Sequence, residues 1–146
     1  MSGNSRPHNR KLLLFDIDGT LLTSGGAGER ALRLAFEERF GMRDDFKSIE
    51  IAGRTDSAIA RQIFTRHGIA ETAENLAAFF DGYLHHLALL LPTTNGRLLP
   101  GILPLLESLK ERADVVLGLL TGNLARGAEL KLTHYGVWHF FEFGAF

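Results

Sequence analysis

Two carboxylates one residue apart, Asp16 and Asp18, are followed at once by Gly19 and Thr20. Carboxylates this close repel, so they call for a cation between them or for one of them to hold a proton. Oxygen ligands of this kind suit Mg²⁺, which takes one or two carboxylates together with waters and substrate phosphate. Gly19 permits a sharp turn, and Thr20 offers a hydroxyl and a backbone N–H. A second candidate group is Thr121-Gly122-Asn123. The Thr121 hydroxyl, with free N–H groups at the start of a following helix, makes an anion site; alone, the same residues are a turn and an Asn cap. Lys131 lies about two turns further along and leans back toward that site, with Arg126 and Lys110 as rival cations.

The elements around these residues place them together. Lys11–Phe15 is continuously apolar and reads as a strand buried on both faces. Were that strand to persist through Ile17, Asp16 and Asp18 would share a face. Val115–Thr121 reads as a second buried strand, and Phe140–Phe143 starts a third. Apolar spacing and caps predict helices over 27–40, from Thr55 or Asp56 to about Gly68, from about Thr72 to Leu91, over 100–112, and from Leu124 to about Tyr135. Asn123 is the expected cap of the last. Strands joined by helices imply an α/β fold with a parallel sheet, whose carboxyl edge is where ligands bind. The helical stretch between the first two strands is too long for an ordinary crossover and reads as an inserted lid. Lid motion is expected about Thr23–Gly28 and Thr93–Arg97.

Composition narrows the function. A chain of 146 residues, 45% hydrophobic, has material for one folded domain. Its net charge of -1 gives no basic field for nucleic acid or anionic membrane. The absence of cysteine excludes thiol catalysis, disulfides and thiolate metal sites. Residues 1–10 are polar and basic, read as a disordered tail and lack a signal-peptide core; no apolar run is long enough to span a bilayer. A cytoplasmic location is the expectation. His85-His86 are adjacent and face different directions, so they read as structural rather than as a metal pair. Trp138, His139 and the phenylalanines after them read as core.

Phe15-Asp16-Ile-Asp18-Gly-Thr20-Leu resembles the first motif of the haloacid dehalogenase superfamily, in its branch of phosphatases with a helical cap. Leu120-Thr121-Gly-Asn123 resembles the second motif, and Gly53-Arg54-Thr55-Asp56 resembles a cap segment of phosphoglycolate-phosphatase-like members. The resemblance implies a Rossmann-like α/β core, 11–23 and 95–146, with an all-helical cap, 24–94. It implies a Mg²⁺-dependent phosphohydrolase acting on a small phosphorylated metabolite. Asp16 would be the nucleophile that becomes an aspartyl-phosphate, and Asp18 the acid and base at the leaving oxygen and water. The Asp16 carboxylate and the Asp18 backbone carbonyl would hold Mg²⁺. Thr121 would bind a phosphoryl oxygen beside Thr20, Gly122 and Asn123, and Lys131 would hold nucleophile and phosphate. Arg54 is the lid's candidate substrate clamp, or equally a surface arginine. Asp18 favours ester hydrolysis over dehalogenation, which has no leaving oxygen to protonate. The family's acidic fourth motif is expected directly after Gly144-Ala145-Phe146, where the sequence stops. The core, the sheet neighbour of strand 11–15 and the metal shell are therefore expected to be incomplete. A catalytically inactive phosphate-binding or partner module, and a phosphosugar mutase, are the alternatives.

Overall fold

The structure is a computed structural model that describes residues 10–146. The expected tail over 1–10 lies outside the described residues except for Arg10. Strand β1 (Lys11–Phe15) leads into the turn at Asp16–Leu21 and a short strand β2 (Leu22–Thr23). Helices α1 (Ala27–Phe40), α2 (Asp56–His67) and α3 (Ala73–Leu90) follow, and Leu91–Thr93 forms a single 3₁₀ turn. The chain returns through β3 (Arg97–Leu98), which pairs antiparallel with β2. It then runs through α4 (Ile102–Lys110), β4 (Val115–Leu120), α5 (Ala125–His134) and β5 (Phe143–Ala145).

Strands β1, β4 and β5 form a parallel sheet in the order β1-β4-β5, with Lys11 opposite Val115 and Gly118 opposite Phe143. The α/β, Rossmann-like fold expected from the sequence is thus present. All three strands run the same way, so the ends of β1 and β4 open on one edge and bring Asp16 and Thr121 to it. One face of the sheet is packed: Val115, Leu117 and Leu119 join Leu106 of α4 and Ala128 and Leu132 of α5 in one buried cluster. The other face is open among the described residues. Leu12 and Leu14 are 53% and 47% exposed, and Leu120 and Phe143 are exposed beside them. Burial of β1 on both faces is therefore corrected. Its unbroken apolar pattern supplies two apolar faces, but β1 lies at the sheet edge and only one face meets helices.

Two further expectations change. The third strand begins at Phe143 rather than Phe140, because Trp138–Phe140 form a 3₁₀ turn that folds Phe140 into the core. Of the aromatic run after Val137, only Phe140 is buried; Phe143 and Phe146 are exposed. The helix expected over 100–112 is shorter, since Gly101, in a left-handed conformation, precedes its first turn.

Helices α1, α2 and α3 build a second core of their own. Ala31, Leu32, Ala35 and Phe36 recur at helical spacing on α1 and are all buried. They face α3, where a Cβ on Gly82 would stand only 3.3 Å from the Ala35 Cβ; small residues on both helices allow this approach. Phe79 lies at the centre of the cluster, with ring centroids 5.6 Å from Phe64 and 6.4 Å from Phe40. Thr55 and Thr72 cap α2 and α3 by accepting from the N–H groups of Ala58 and Asn75. Two clusters of buried side chains thus form, one centred on α1–α3 and one beneath the sheet. Truncating Phe79, which is fully buried, removes the cap's central ring. Phe79→Ala is expected to cost about 3–5 kcal/mol, measured by urea denaturation.

Candidate active site

Strand β1 ends at Phe15, one residue before the first aspartate. Strand alternation therefore does not align Asp16 with Asp18; a turn does. The Ile17 carbonyl accepts from the N–H groups of Thr20, Leu21 and Leu22, and Gly19 adopts φ 77°, a left-handed conformation that glycine takes without a Cβ clash. This turn sends both carboxylates into one cavity of 720 Å³, shared with Thr121, Gly122, Asn123, Lys131, Arg54, Asp56 and Tyr83.

Lys131 is the centre of the polar network. It is 4% exposed, and its ammonium donates to both Asp18 carboxylate oxygens at 2.9 and 2.8 Å and to Asn123 Oδ1 at 2.7 Å. These three bonds use all three of its protons. The amide of Asn123 in turn donates to Asp18 at 2.9 Å and to Thr121 Oγ1 at 2.8 Å, while the Asn123 backbone N–H donates to the same hydroxyl. The Thr121 oxygen thus accepts twice, and its own proton is left to donate into the cavity. Asp16 is placed differently. One of its oxygens accepts from the Ile17 N–H at 2.8 Å, and the other has no hydrogen-bond partner among the described residues.

Several roles expected from the sequence shift accordingly. Lys131 is tied to Asp18, not to Asp16. Asn123 does not cap α5; its side chain is committed to Asp18, Thr121 and Lys131. The N–H at the start of α5, on Leu124, is instead taken by the Asp56 carboxylate at 2.7 Å. The residue preceding α5 thus has its N–H filled, while no side chain caps the helix itself, and an anion in the cavity would meet the Thr121 hydroxyl beside that terminus. Thr20 lies outside the cavity, its N–H donated to Ile17 in the turn. Arg54 does line the cavity, but it is half-exposed and paired with Glu50. His86 pairs with Glu38 at 2.7 Å, and no group of three His, Asp or Glu poised for a metal occurs among the described residues.

Two cavity residues escaped the sequence reading. Asp56 was legible as a helix start and as the last residue of the family-like segment Gly53–Asp56, with no contact assigned to it, and Tyr83 only as one apolar residue of α3. Tyr83 is 2% exposed and its hydroxyl stands 4.0 Å from where a Cβ on Gly28 would lie, with Lys131 Nζ 3.8 Å from the same point. Burial, reinforced by Asp56 and Asp18, pushes its phenol well above the usual tyrosine range, so it remains a proton donor. No local pattern signals either role, since both depend on the cap lying against the core.

Residues 13–145 match the family model described as haloacid dehalogenase-like hydrolase. The chain belongs to this family. No curated protein matches its sequence. Solved structures share the fold. One is described as a predicted phosphoglycolate phosphatase from Haemophilus somnus, 19% identical with a TM-score of 0.67, covering 93% of this chain and 62% of that one. CbbY from Rhodobacter sphaeroides, in complex with phosphate, is 23% identical with a TM-score of 0.67, covering 92% and 62%. A family hydrolase from Bacillus subtilis, bound to magnesium, is 21% identical with a TM-score of 0.55, covering 93% and 64%. This chain spans less than two thirds of the length of each of these. No helix among its described residues is long and apolar enough to cross a membrane.

The site has a proton linkage. Burial raises the Asp56 carboxyl above its ordinary 3.8, although the Leu124 N–H and Lys131 oppose the shift; Asp18 adds to it. The hydroxyl of Tyr83 is a further titratable group beside it. A folded-state pKa above the unfolded one means that stability falls as pH rises from about 4 through the raised value. Asp56→Asn keeps an acceptor for Leu124 and removes the charge. Its stability relative to wild type is expected to climb between pH 4 and 7 and to show no gain below pH 4, read from urea midpoints across that range.

Proposed function

We propose that this protein hydrolyses the phosphate ester of a small phosphorylated metabolite through an aspartyl-phosphate on Asp16. The observation that carries the reading is the pairing of an unpartnered Asp16 oxygen with an unspent Thr121 proton in one cavity. A carboxylate oxygen free of hydrogen bonds is the better nucleophile, and a hydroxyl already accepting twice is a ready donor to a phosphoryl oxygen. The phosphate held by CbbY and the magnesium held by the Bacillus subtilis hydrolase support the same reading.

The donor set fits Mg²⁺ in its least demanding form, one carboxylate oxygen of Asp16, the one not used for attack, with waters and substrate phosphate completing the shell. Asp16 and the Asp18 backbone carbonyl would hold it; the Asp18 carboxylate, engaged by Lys131 and Asn123, would not. When bound, the ion neutralises charge on the transferring phosphoryl group.

In the first step Asp16 attacks phosphorus, the bond to the leaving oxygen breaks, and Asp18 supplies that oxygen with a proton. Water then attacks the acyl phosphate, Asp18 takes its proton, and inorganic phosphate leaves with Asp16 restored. Both Asp18 oxygens accept from Lys131 or Asn123 in the structure, so Asp18 takes up a proton and gives up its Lys131 bond at one oxygen before it donates, and regains that proton from the attacking water. Thr121 and the Gly122 N–H bind the phosphoryl oxygens. Arg54, on the cap side of the cavity, would meet a second acidic group of the substrate after exchanging Glu50 for it. We infer a cytoplasmic setting from the cysteine-free composition and the metabolite substrate.

Asp16→Asn is expected to abolish Mg²⁺-dependent release of p-nitrophenol from p-nitrophenyl phosphate, and EDTA to do the same to wild type. Asp18→Asn is expected to lower kcat about 10²–10⁴-fold on alkyl phosphates, whose leaving groups need a proton. Turnover retained by Asp16→Asn overturns the mechanism. Phosphate binding without turnover by wild type favours the inactive binding module instead.

A further inference from the structure

Asp56 belongs to the cap, yet its backbone N–H and its carboxylate both bond to the core. Its backbone N–H donates to the Gly122 carbonyl at 2.7 Å, and its carboxylate accepts from the Leu124 N–H at 2.7 Å. The two bonds bracket Asn123. Asp56 is also the first residue of α2, whose N-terminus Thr55 caps. The carboxylate therefore sits where the positive ends of α2 and α5 converge, which favours a negative group. It is 7% exposed, and the nearest cation, Lys131, is fully engaged elsewhere.

The opposing surface is shaped to receive it. A Cβ on Gly122 would stand 2.8 Å from the Thr55 Cα and 2.9 Å from the Arg54 carbonyl oxygen. Both of these are backbone atoms that cannot rotate away, so only glycine admits the cap this closely. At the other end of the cap, its two connections lie side by side. A Cβ on Gly25 would lie 2.7 Å from both Asn95 Oδ1 and the Gly96 nitrogen, and Thr94 Oγ1 donates to the Ser24 carbonyl at 2.8 Å. The cap thus joins the core through a narrow pair of strands and meets it again at Asp56.

We propose that Asp56 is a latch and a positioning residue. It seats the cap on the 121–124 loop, so that the loop takes its anion-holding form only when the cap is shut. By filling the Leu124 N–H it also directs an incoming anion to the Thr121 hydroxyl and the Gly122 N–H. The inference rests on reading that loop as the phosphoryl-binding element.

The experiment is amide hydrogen exchange on the whole protein, paired with titration of inorganic phosphate. In Asp56→Ala the Leu124 amide is expected to exchange about tenfold faster or more, and phosphate affinity to fall about tenfold, the loss of one charge-assisted hydrogen bond. Asp56→Asn, which retains the acceptor, is expected to restore both. Gly122→Ala is expected to speed exchange at Leu124 and Asp56 together. The Ile63 amide inside α2 stays protected in every variant, which separates unlatching from unfolding. Unchanged protection of Leu124 in Asp56→Ala, or failure of Asp56→Asn to rescue, overturns the latch. If wild type binds no phosphate, the phosphohydrolase reading fails, while the exchange data still decide the latch.

Discussion

A buried ammonium must be paired, and the packing of this site follows from that requirement. Lys131 is almost wholly removed from water. An unpaired charge there would be strongly destabilising. Its three protons bind Asp18 and Asn123, which fixes the end of the β1 turn against the end of β4 and the first turns of α5. The strand pairing of β1 with β4 brings the backbones together, and the lysine sets the side chains. Because the amide of Asn123 is held by the lysine and by Asp18, it is also oriented to fill the Thr121 hydroxyl. The free proton of Thr121 is thus an indirect product of burying Lys131.

The same constraint separates the two aspartates. Asp18 is held by a lysine and an amide, whereas Asp16 keeps an oxygen with no partner. Two identical side chains one residue apart so acquire different environments, the kind of difference that the proposed division into nucleophile and acid–base requires. The cap contributes from above. Tyr83, whose buried phenol keeps its proton, and Asp56 line the cavity from the cap side.

Much of this was legible in the sequence. The strands at 11–15 and 115–120, the three helices α1–α3, two of them with threonine caps, and the parallel α/β architecture all follow from local patterns. Apolar periodicity, capping residues and glycine turns act over a few residues and leave direct traces. The placement of Asp16, Asp18, Thr121 and Lys131 around one cavity was also approachable, because strand ends in a parallel sheet share an edge. Less legible were the exposure of Leu12 and Leu14, which depends on what covers the sheet, and the position of β5, which the Trp138–Phe140 turn delays.

By itself, then, the sequence determined the elements, their order and the residues available for chemistry. Tertiary structure alone decided who binds whom. Lys131 chooses Asp18 across 113 residues, Asn123 leaves its expected capping role for a partner 105 residues away, and Asp56 accepts from the Leu124 N–H across 68. These are contacts between groups that no short-range spacing relates. They exist because cap and core close over one cavity, where each buried polar atom must find its partner among whatever the fold brings near.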